Sequence, residues 1–296
     1  KINNTFNVTF EGPLLDTWPL FGSPVPITVI LISYAFFVLY LGPNYMRNRA
    51  PFNLKYMIIL YNTFQVYYNF WLISQLQMVM HKQFMKHMVR FGCVNGLTDE
   101  ETKHFGDTVS LALWHATIDR VFDLFDTVFF VLNKKQSHVT FLHVYHHISV
   151  VAILWTASKY FQGLEFGIVG ICNIFVHMIM YFYYLVAALG PQFRKFLWWK
   201  RYLTTLQIIQ FLIILFYMLG SLWLSCNFRK NVIYVIIAET IINLVLFLHF
   251  YRKAYKKDIT QVMMKKISIC GSAQIDQNYD INGNYDEKLE LSKKHI

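Results

Sequence analysis

FLHVYHHISVVAILW, residues 141–155, sets three histidines within five positions at the head of an apolar run. An imidazole in hydrocarbon has to be hydrogen-bonded, bound to a metal or used in chemistry, because an unsatisfied polar group at that depth costs several kcal/mol. Whether this stretch is a core helix of a soluble protein or a membrane span therefore decides the fold.

Composition points to the membrane. Of the 296 residues 55% are hydrophobic, 18% aromatic and only 15% charged, against roughly 25% charged in an ordinary soluble domain. Apolar runs near 26–44, 56–79, 109–132, 139–157, 163–189, 202–225 and 232–251 are each about long enough to cross the hydrocarbon core. The reading is an all-α polytopic membrane protein with seven spans in one domain, 1–257. The polar stretch GSAQIDQNYDINGNYDEKLE lacks a sustained apolar period, so 258–296 is expected to be a disordered cytosolic tail.

NNTF and NVTF place Asn3 and Asn7 in N-x-Thr sequons, which have a use only in the lumen. A lumenal N-terminus and seven spans put the C-terminus in the cytosol. The proposed cytosolic segments then hold eighteen Lys and Arg and the lumenal ones eight, in keeping with the positive-inside rule. The net charge of +10 is thereby explained by membrane orientation, and no basic, aromatic-interleaved face suggests nucleic acid. The last four residues, KKHI, match a dilysine address that returns membrane proteins to the endoplasmic reticulum. Cys93 and Cys226 fall in two lumenal loops on the oxidising side and form a plausible disulfide, whereas Cys172 is intramembrane and Cys270 cytosolic.

Polar residues recur inside the spans. TVSLALWHATIDRVFDLFDTVFFVL, residues 108–132, carries Asp119, Arg120, Asp123 and Asp126, the last three at i, i+3 and i+6 on one helical face. His143, His146 and His147 form one stripe in the next span. NIFVHMIMYFYY, 173–184, adds Asn173 and His177 at i, i+4, with Tyr181 and Tyr184 continuing the face, and YLTTLQIIQF, 202–211, adds Thr205, Gln207 and Gln210. A lone intramembrane His or Gln is more often glue between helices than a catalyst, but several stripes converging on one bundle suit a site.

Three chemistries compete for it. A metal-dependent membrane desaturase needs several histidine boxes, and only one H-x-x-H-H box is present, with His115, His138 and His249 outside any other. A transporter or receptor tolerates buried charges but gives three histidines in one turn no purpose. Acyl transfer uses imidazole as nucleophile and as general acid or base, and burial in the membrane keeps water from the acyl intermediate.

The ordered set LGPNYMRNRAPFNLK, DTVFFVLNKK, TFLHVYHH, NIFVHMIMYFYY, YLTTLQIIQF and FYRKAYKK, spanning most of the chain, resembles the ELO family of very-long-chain fatty-acid elongases. The resemblance implies a seven-helix, barrel-like bundle round an acyl tunnel. It implies a 3-oxoacyl-CoA synthase that condenses long-chain acyl-CoA with malonyl-CoA and releases CO2 and CoA, with those two substrates and no cofactor or metal. His143, His146 and His147 match the family's histidine box, His177 and Asn173 its second motif, Asp126 its aspartate, and Gln207 and Gln210 its sixth-span motif. Arg120 and Asp123 stand where the family has lysine and glutamate, Asp119 replaces a small residue, Asn133 a usual arginine and His138 a usual glutamine.

On this footing His146 is the expected acyl carrier and His177 its assistant, while Asn173, Asp126 and Gln210 orient imidazoles. Arg120, Asp123, Tyr181, Tyr184 and Gln207 are expected to contact substrate, and Lys134, Lys135, Arg194, Lys195 and Lys200 to form a cationic rim for CoA phosphates. Cys172 is a rival acyl carrier. Membrane lipids, the other enzymes of the elongation cycle and a second copy of the chain are the expected partners.

Asn3 and Asn7 are expected to accept glycans while a tag after Ile296 stays open to protease in sealed microsomes. A protected tag would contradict the seven-span orientation, and thiols at Cys93 and Cys226 that alkylate before reduction would contradict the disulfide.

Overall fold

The computed structural model describes residues 16–79, 99–160, 166–224 and 230–255, and all of their regular structure is helical. The helices are α1 Val25–Met46, α2 Lys55–Val79, α3 Asp99–Phe122, α4 Leu124–Leu132, α5 Phe141–Tyr160, α6 Phe166–Leu189, α7 Lys200–Trp223 and α8 Lys230–Tyr255. The sequons at Asn3 and Asn7, the Cys93 and Cys226 pair, the tail from 258 and KKHI lie outside the described residues. The chain divides into two compact units, Lys1–Phe247 and Leu248–Ile296. In the second, Tyr251 and Tyr255 pack ring to ring with centroids 5.0 Å apart.

Four helices, α1, α8, α7 and the Ile168–Leu189 part of α6, are long and apolar enough to cross a membrane. The sequence leads one to expect seven such spans. The difference falls on α2, α3–α4 and α5, whose apolar runs are diluted by the polar side chains that build the core: Asn62, Gln65 and Asn69 in α2, Asp119 to Asp126 in α3–α4, and the histidines of α5.

The packing is inverted relative to a soluble protein. Val25, Val29, Ile32, Phe36 and Leu39 of α1, Phe216 and Trp223 of α7 and Tyr234, Val235 and Val245 of α8 are exposed, while charged and amide side chains are buried. With no water to satisfy them in hydrocarbon, polar groups turn inward toward one another and apolar groups face lipid. The arrangement is that of a multi-pass membrane protein.

Helix α1 starts at a proline pair, with Pro26 in the first turn where its missing N–H costs nothing. At its far end Pro43 has no N–H to give, and its ring would strike the carbonyl four residues back. The chain widens to a π-helical turn at Phe37–Leu41, in which Gly42 N–H reaches Phe37 O. Gly42 is also where α1 presses on α4: a Cβ there would lie 2.6 Å from Val131 Cγ1 and 2.9 Å from Phe37 O. Tyr34 and Thr127 hydroxyls join the same two helices at 2.7 Å, within an apolar cluster of Ile27, Val38, Leu124, Val144 and Trp155.

Helix α2 packs along α6, α3 along α5, and α7 against α6. Leu113, Ala157, Ile214, Met218, Ile233 and Ile236 gather α3, α5, α7 and α8 into a second cluster. The α3–α4 junction is tight: Asp126 N–H bonds to Asp123 O at 3.2 Å, an i to i+3 bond, just where the buried charges sit. A short-pitch turn of this kind inside a helix commonly marks a strained or functional segment.

Gly42→Ala is expected to lower thermal stability by about 1–3 kcal/mol through overpacking against Val131 and the Phe37 carbonyl. Thermal unfolding in detergent tests it, and restoration by the paired Val131→Ala change would locate the clash.

Candidate active site

Arg120 is 2% exposed at the end of α3. Its guanidinium donates to Asp119, to Asn69 Oδ1 at 3.0 Å and to Asp123 Oδ2 at 2.8 Å, and it reaches Nδ1 of His177 on α6. The i, i+3 spacing read from the sequence is thus a contact between Arg120 and Asp123, and Asp119 adds a second carboxylate. A guanidinium offers only hydrogens, so His177 Nδ1 accepts, and the ring's own hydrogen sits on Nε2. Asp123 Oδ2, 3.2 Å from the same Nδ1, accepts from the same guanidinium nitrogen.

Asp123 also accepts from Gln65 Nε2 at 2.5 Å and from the Tyr181 hydroxyl at 2.7 Å. Tyr181 lies 2.6 Å from Asp126 Oδ2 and 3.2 Å from the Tyr61 hydroxyl. One phenol has one hydrogen to share between the two carboxyl oxygens, so the Tyr181 hydroxyl holds Asp123 and Asp126 to a single point on α6. Four helices, α2, α3, α4 and α6, are fastened together by this knot.

The α5 histidines stand next to it. Ring centroids of His143 and His147 are 4.3 Å apart and those of His146 and His147 5.9 Å. His143 leans on Phe130 of α4, with centroids 5.4 Å apart, and its Nε2 has no hydrogen-bond partner among the described residues. His146 meets the edges of Phe211 on α7 and Phe247 on α8, and its Nδ1 lies 3.0 Å from Asn243 Oδ1. Arg120, Asp123, His146, His147, Val150, Val151 and His177 line one cavity of about 10 Å³, space for a single water-sized group. A larger cavity of about 420 Å³, lined mostly by apolar side chains of α1 and the start of α5 from Leu39 to Ser149, includes none of the histidines.

The structure distributes the expected site residues unevenly. His146, His147, His177, Arg120 and Asp123 share the small cavity, and His143 adjoins it through His147. Asp126 is bonded to Tyr181 and to no imidazole. Among the described residues no hydrogen bond joins Asn173 or Gln210 to an imidazole either; the residue that orients His146 is Asn243. Gln207 Nε2 approaches Met180 Sδ at 3.6 Å, and Tyr184 packs edge-on against Tyr181. Cys172 is half-buried. Among the described residues no three His, Cys, Asp or Glu side chains converge as a metal's ligands would.

At the rim, Lys134 occupies the left-handed position, φ 55°, of a Schellman turn closing α4, in which Lys135 N–H reaches Phe130 O and Lys134 N–H reaches Val131 O. Its ammonium donates to Arg47 O at 3.3 Å. His138, in the short turn Gln136–His138, is held below the usual imidazole range by partial burial and by the charges of Lys135 and Lys200.

Gln65, Asn69, Glu239 and Asn243 have no place among the expected site residues. A signal was present: Asn62, Gln65 and Asn69 follow the i, i+3, i+7 rule of one helical face, and Glu239 and Asn243 are i, i+4 in the otherwise apolar VIIAETIINLVLF.

Comparison with known proteins places the chain. The sequence model described as the ELO, GNS1/SUR4 family matches residues 19–262. Very long chain fatty acid elongase 7 of Rattus norvegicus is 38% identical over 248 residues, covering 83% of this chain and 86% of its own. Very long chain fatty acid elongase 4 of Homo sapiens is 36% identical over 243 residues, covering 82% and 75%, and very long chain fatty acid elongase 1 of Mus musculus 34% over 247 residues, covering 83% and 86%.

Replacing Arg120 with Met strands two carboxylates in the core and is expected to cost about 3–5 kcal/mol of stability. Tyr181→Phe, which removes one shared hydroxyl, should cost about 1–3 kcal/mol. Melting temperatures of the detergent-solubilised variants measure both, and an unchanged Arg120→Met would show that the knot does not hold the bundle.

Proposed function

The chain belongs to the ELO, GNS1/SUR4 family, and from that premise we propose that it is a very-long-chain 3-oxoacyl-CoA synthase, an acyltransferase that joins a long-chain acyl-CoA to malonyl-CoA. The observation that carries the chemistry is the small cavity that His146 of α5 and His177 of α6 line together with apolar Val150 and Val151. The relatives' elongase names support the substrate class.

In the first step a neutral His146 attacks the thioester carbonyl through a ring nitrogen, the carbon–sulfur bond breaks, and the CoA thiolate leaves to take its proton from the cytosolic side. In the second, malonyl-CoA loses CO2 and its electron pair becomes the enolate carbon. That carbon attacks the acyl group, the carbon–nitrogen bond breaks, and the pair returns to His146 as the 3-oxoacyl-CoA forms. His177, whose Nε2 carries hydrogen because Arg120 fills Nδ1, is suited to donate to the developing oxyanion or enolate. The dry walls protect the acyl group from hydrolysis.

The reading extends to the setting. A seven-span bundle encloses an acyl tunnel in the endoplasmic reticulum membrane, with the N-terminus lumenal and KKHI on the cytosolic side as a retrieval address. Lys134, Lys135 and Lys200 at the rim receive CoA phosphates, and the remaining enzymes of the cycle receive the product.

Incubation with acyl-CoA alone should release about one equivalent of CoA per site and leave an acyl adduct on His146. His146→Ala should abolish adduct and turnover, His177→Ala should lower turnover about 10²-fold or more, and Cys172→Ala should leave both steps intact. No CoA release before malonyl-CoA binds, or an adduct on Cys172, would overturn the acyl-histidine reading.

A further inference from the structure

Helix α8 carries a carboxylate inside an apolar span, Glu239, a placement that is costly in a membrane and usually tied to function. One of its oxygens accepts from the Tyr145 hydroxyl at 2.7 Å and the other from Asn243 Nδ2 at 2.7 Å. The same Nδ2 also donates to Glu239 backbone O at 3.0 Å. Asn243 is 2% exposed. Both hydrogens of its amide are thus committed to oxygens, and turning the amide over would set Oδ1 against two acceptors. Oδ1 therefore faces His146 Nδ1 at 3.0 Å. An amide oxygen can only accept, so Nδ1 carries the hydrogen and the lone pair of the neutral ring lies on Nε2.

From this geometry we propose that Glu239 and Asn243 are positioning residues for the acyl transfer, fixing His146 as the Nδ1–H tautomer with Nε2 as the nucleophilic atom and balancing the charge of the acylated ring. The inference rests on the acyl-histidine reading above. When Nε2 takes the acyl group the ring becomes an N-acyl imidazolium. Asn243 accepts the Nδ1 hydrogen bond but cannot take the proton, so the positive charge stays on the ring, which makes it a stronger acyl donor. Glu239, one hydrogen bond behind, supplies the compensating negative charge. When the enolate carbon attacks, the carbon–nitrogen electron pair returns to Nε2 and the neutral tautomer is restored with no proton moved. His177 is set in the opposite sense, with Nδ1 accepting from Arg120 and hydrogen on Nε2. The two imidazoles on the cavity thus present one lone pair and one donor.

The alternative is glue: the same bonds tie α5 to α8 and do nothing else. Four variants of the full chain separate these, each assayed with acyl-CoA alone for the rate of CoA release and His146 adduct, and with malonyl-CoA for kcat and KM. Losing the tautomer of a catalytic histidine can cost up to about 10⁴-fold. Asn243→Leu should slow adduct formation by about 10²-fold or more, with the acyl-CoA KM within about threefold of wild type, because substrate contacts are untouched. Glu239→Gln, which frees the asparagine amide to turn, should slow it about tenfold. Asn243→Asp sets two carboxylates together and should also be slow. The double variant Glu239→Gln/Asn243→Asp keeps the charge: the amide introduced at 239 donates to the carboxylate introduced at 243, which still accepts from Nδ1. It should recover to within about tenfold of wild type.

Adduct formation in Asn243→Leu within about threefold of wild type, or a double variant no faster than Asn243→Asp, would overturn the proposal. Should Asn243→Leu fail to fold, the Glu239→Gln and double variants decide alone. Wild-type protein that forms no adduct on His146 would overturn the acyl-histidine reading and this proposal with it. An adduct that forms on His146 equally in all variants would overturn this proposal and leave the acyl-histidine reading standing.

Discussion

The guanidinium of Arg120 is the constraint on which the rest of the interior depends. A cation at 2% exposure in a membrane bundle is tolerable only if every hydrogen finds an acceptor, and here the acceptors come from its own helix, from α2 and from α6. Two of the acceptors are in turn fixed by further bonds, Asp123 by Gln65 and Tyr181, and Asn69 by the Gln65 carbonyl. The helices cannot slide along one another without breaking several of these bonds in a medium that offers no substitute. The knot therefore sets the register of α2, α3, α4 and α6 more sharply than apolar packing can, since lipid tails are as apolar as leucine.

The same residue occupies one nitrogen of His177. Four imidazoles stand close together, two of them, His147 and His177, buried and two half-buried, and what distinguishes them is the partner each finds: a cation for His177, an amide oxygen for His146, aromatic and imidazole faces for His143 and His147. In the proposed reaction it is side-chain chemistry at the two nitrogens, and not the histidine motif as such, that divides nucleophile from donor. His146 and His177 both line a cavity of about 10 Å³ walled in part by Val150 and Val151, with space for a single water-sized group.

The lipid-facing surface of the bundle follows from simpler physics. Large apolar side chains cover the outside of α1, α7 and α8, while close approach between helices is purchased by small residues such as Gly42, where α1 meets Val131. The π-helical turn before it absorbs the clash that Pro43 would otherwise make. Polar content lowers the mean hydropathy of α2, α3 and α5, whereas α6, which carries His177 and Tyr181, stays apolar enough to cross a membrane.

The sequence by itself determined the helical class, the membrane setting and the helical faces of the functional residues. These follow from periodicity and composition, which are local properties: His143, His146 and His147 at i, i+3, i+4 had to share a face, as did Arg120 and Asp123. It also carried the resemblance to the family to which the comparison with known proteins assigns the chain. Only the tertiary structure decided which faces meet. The pairing of His146 with Asn243 spans 97 positions and that of Arg120 with His177 spans 57, and nothing in either local pattern selects one partner over another. Asp126, Asn173 and Gln210 were reasonable partners for the imidazoles by type and depth, yet Asp126 was taken by Tyr181, while Asn243, held amide-first by Glu239, reached His146. A hydrogen bond tolerates errors of a few tenths of an ångström. The rotation of one helix about its axis, which no single helix can specify, is what chooses among candidates so similar in kind.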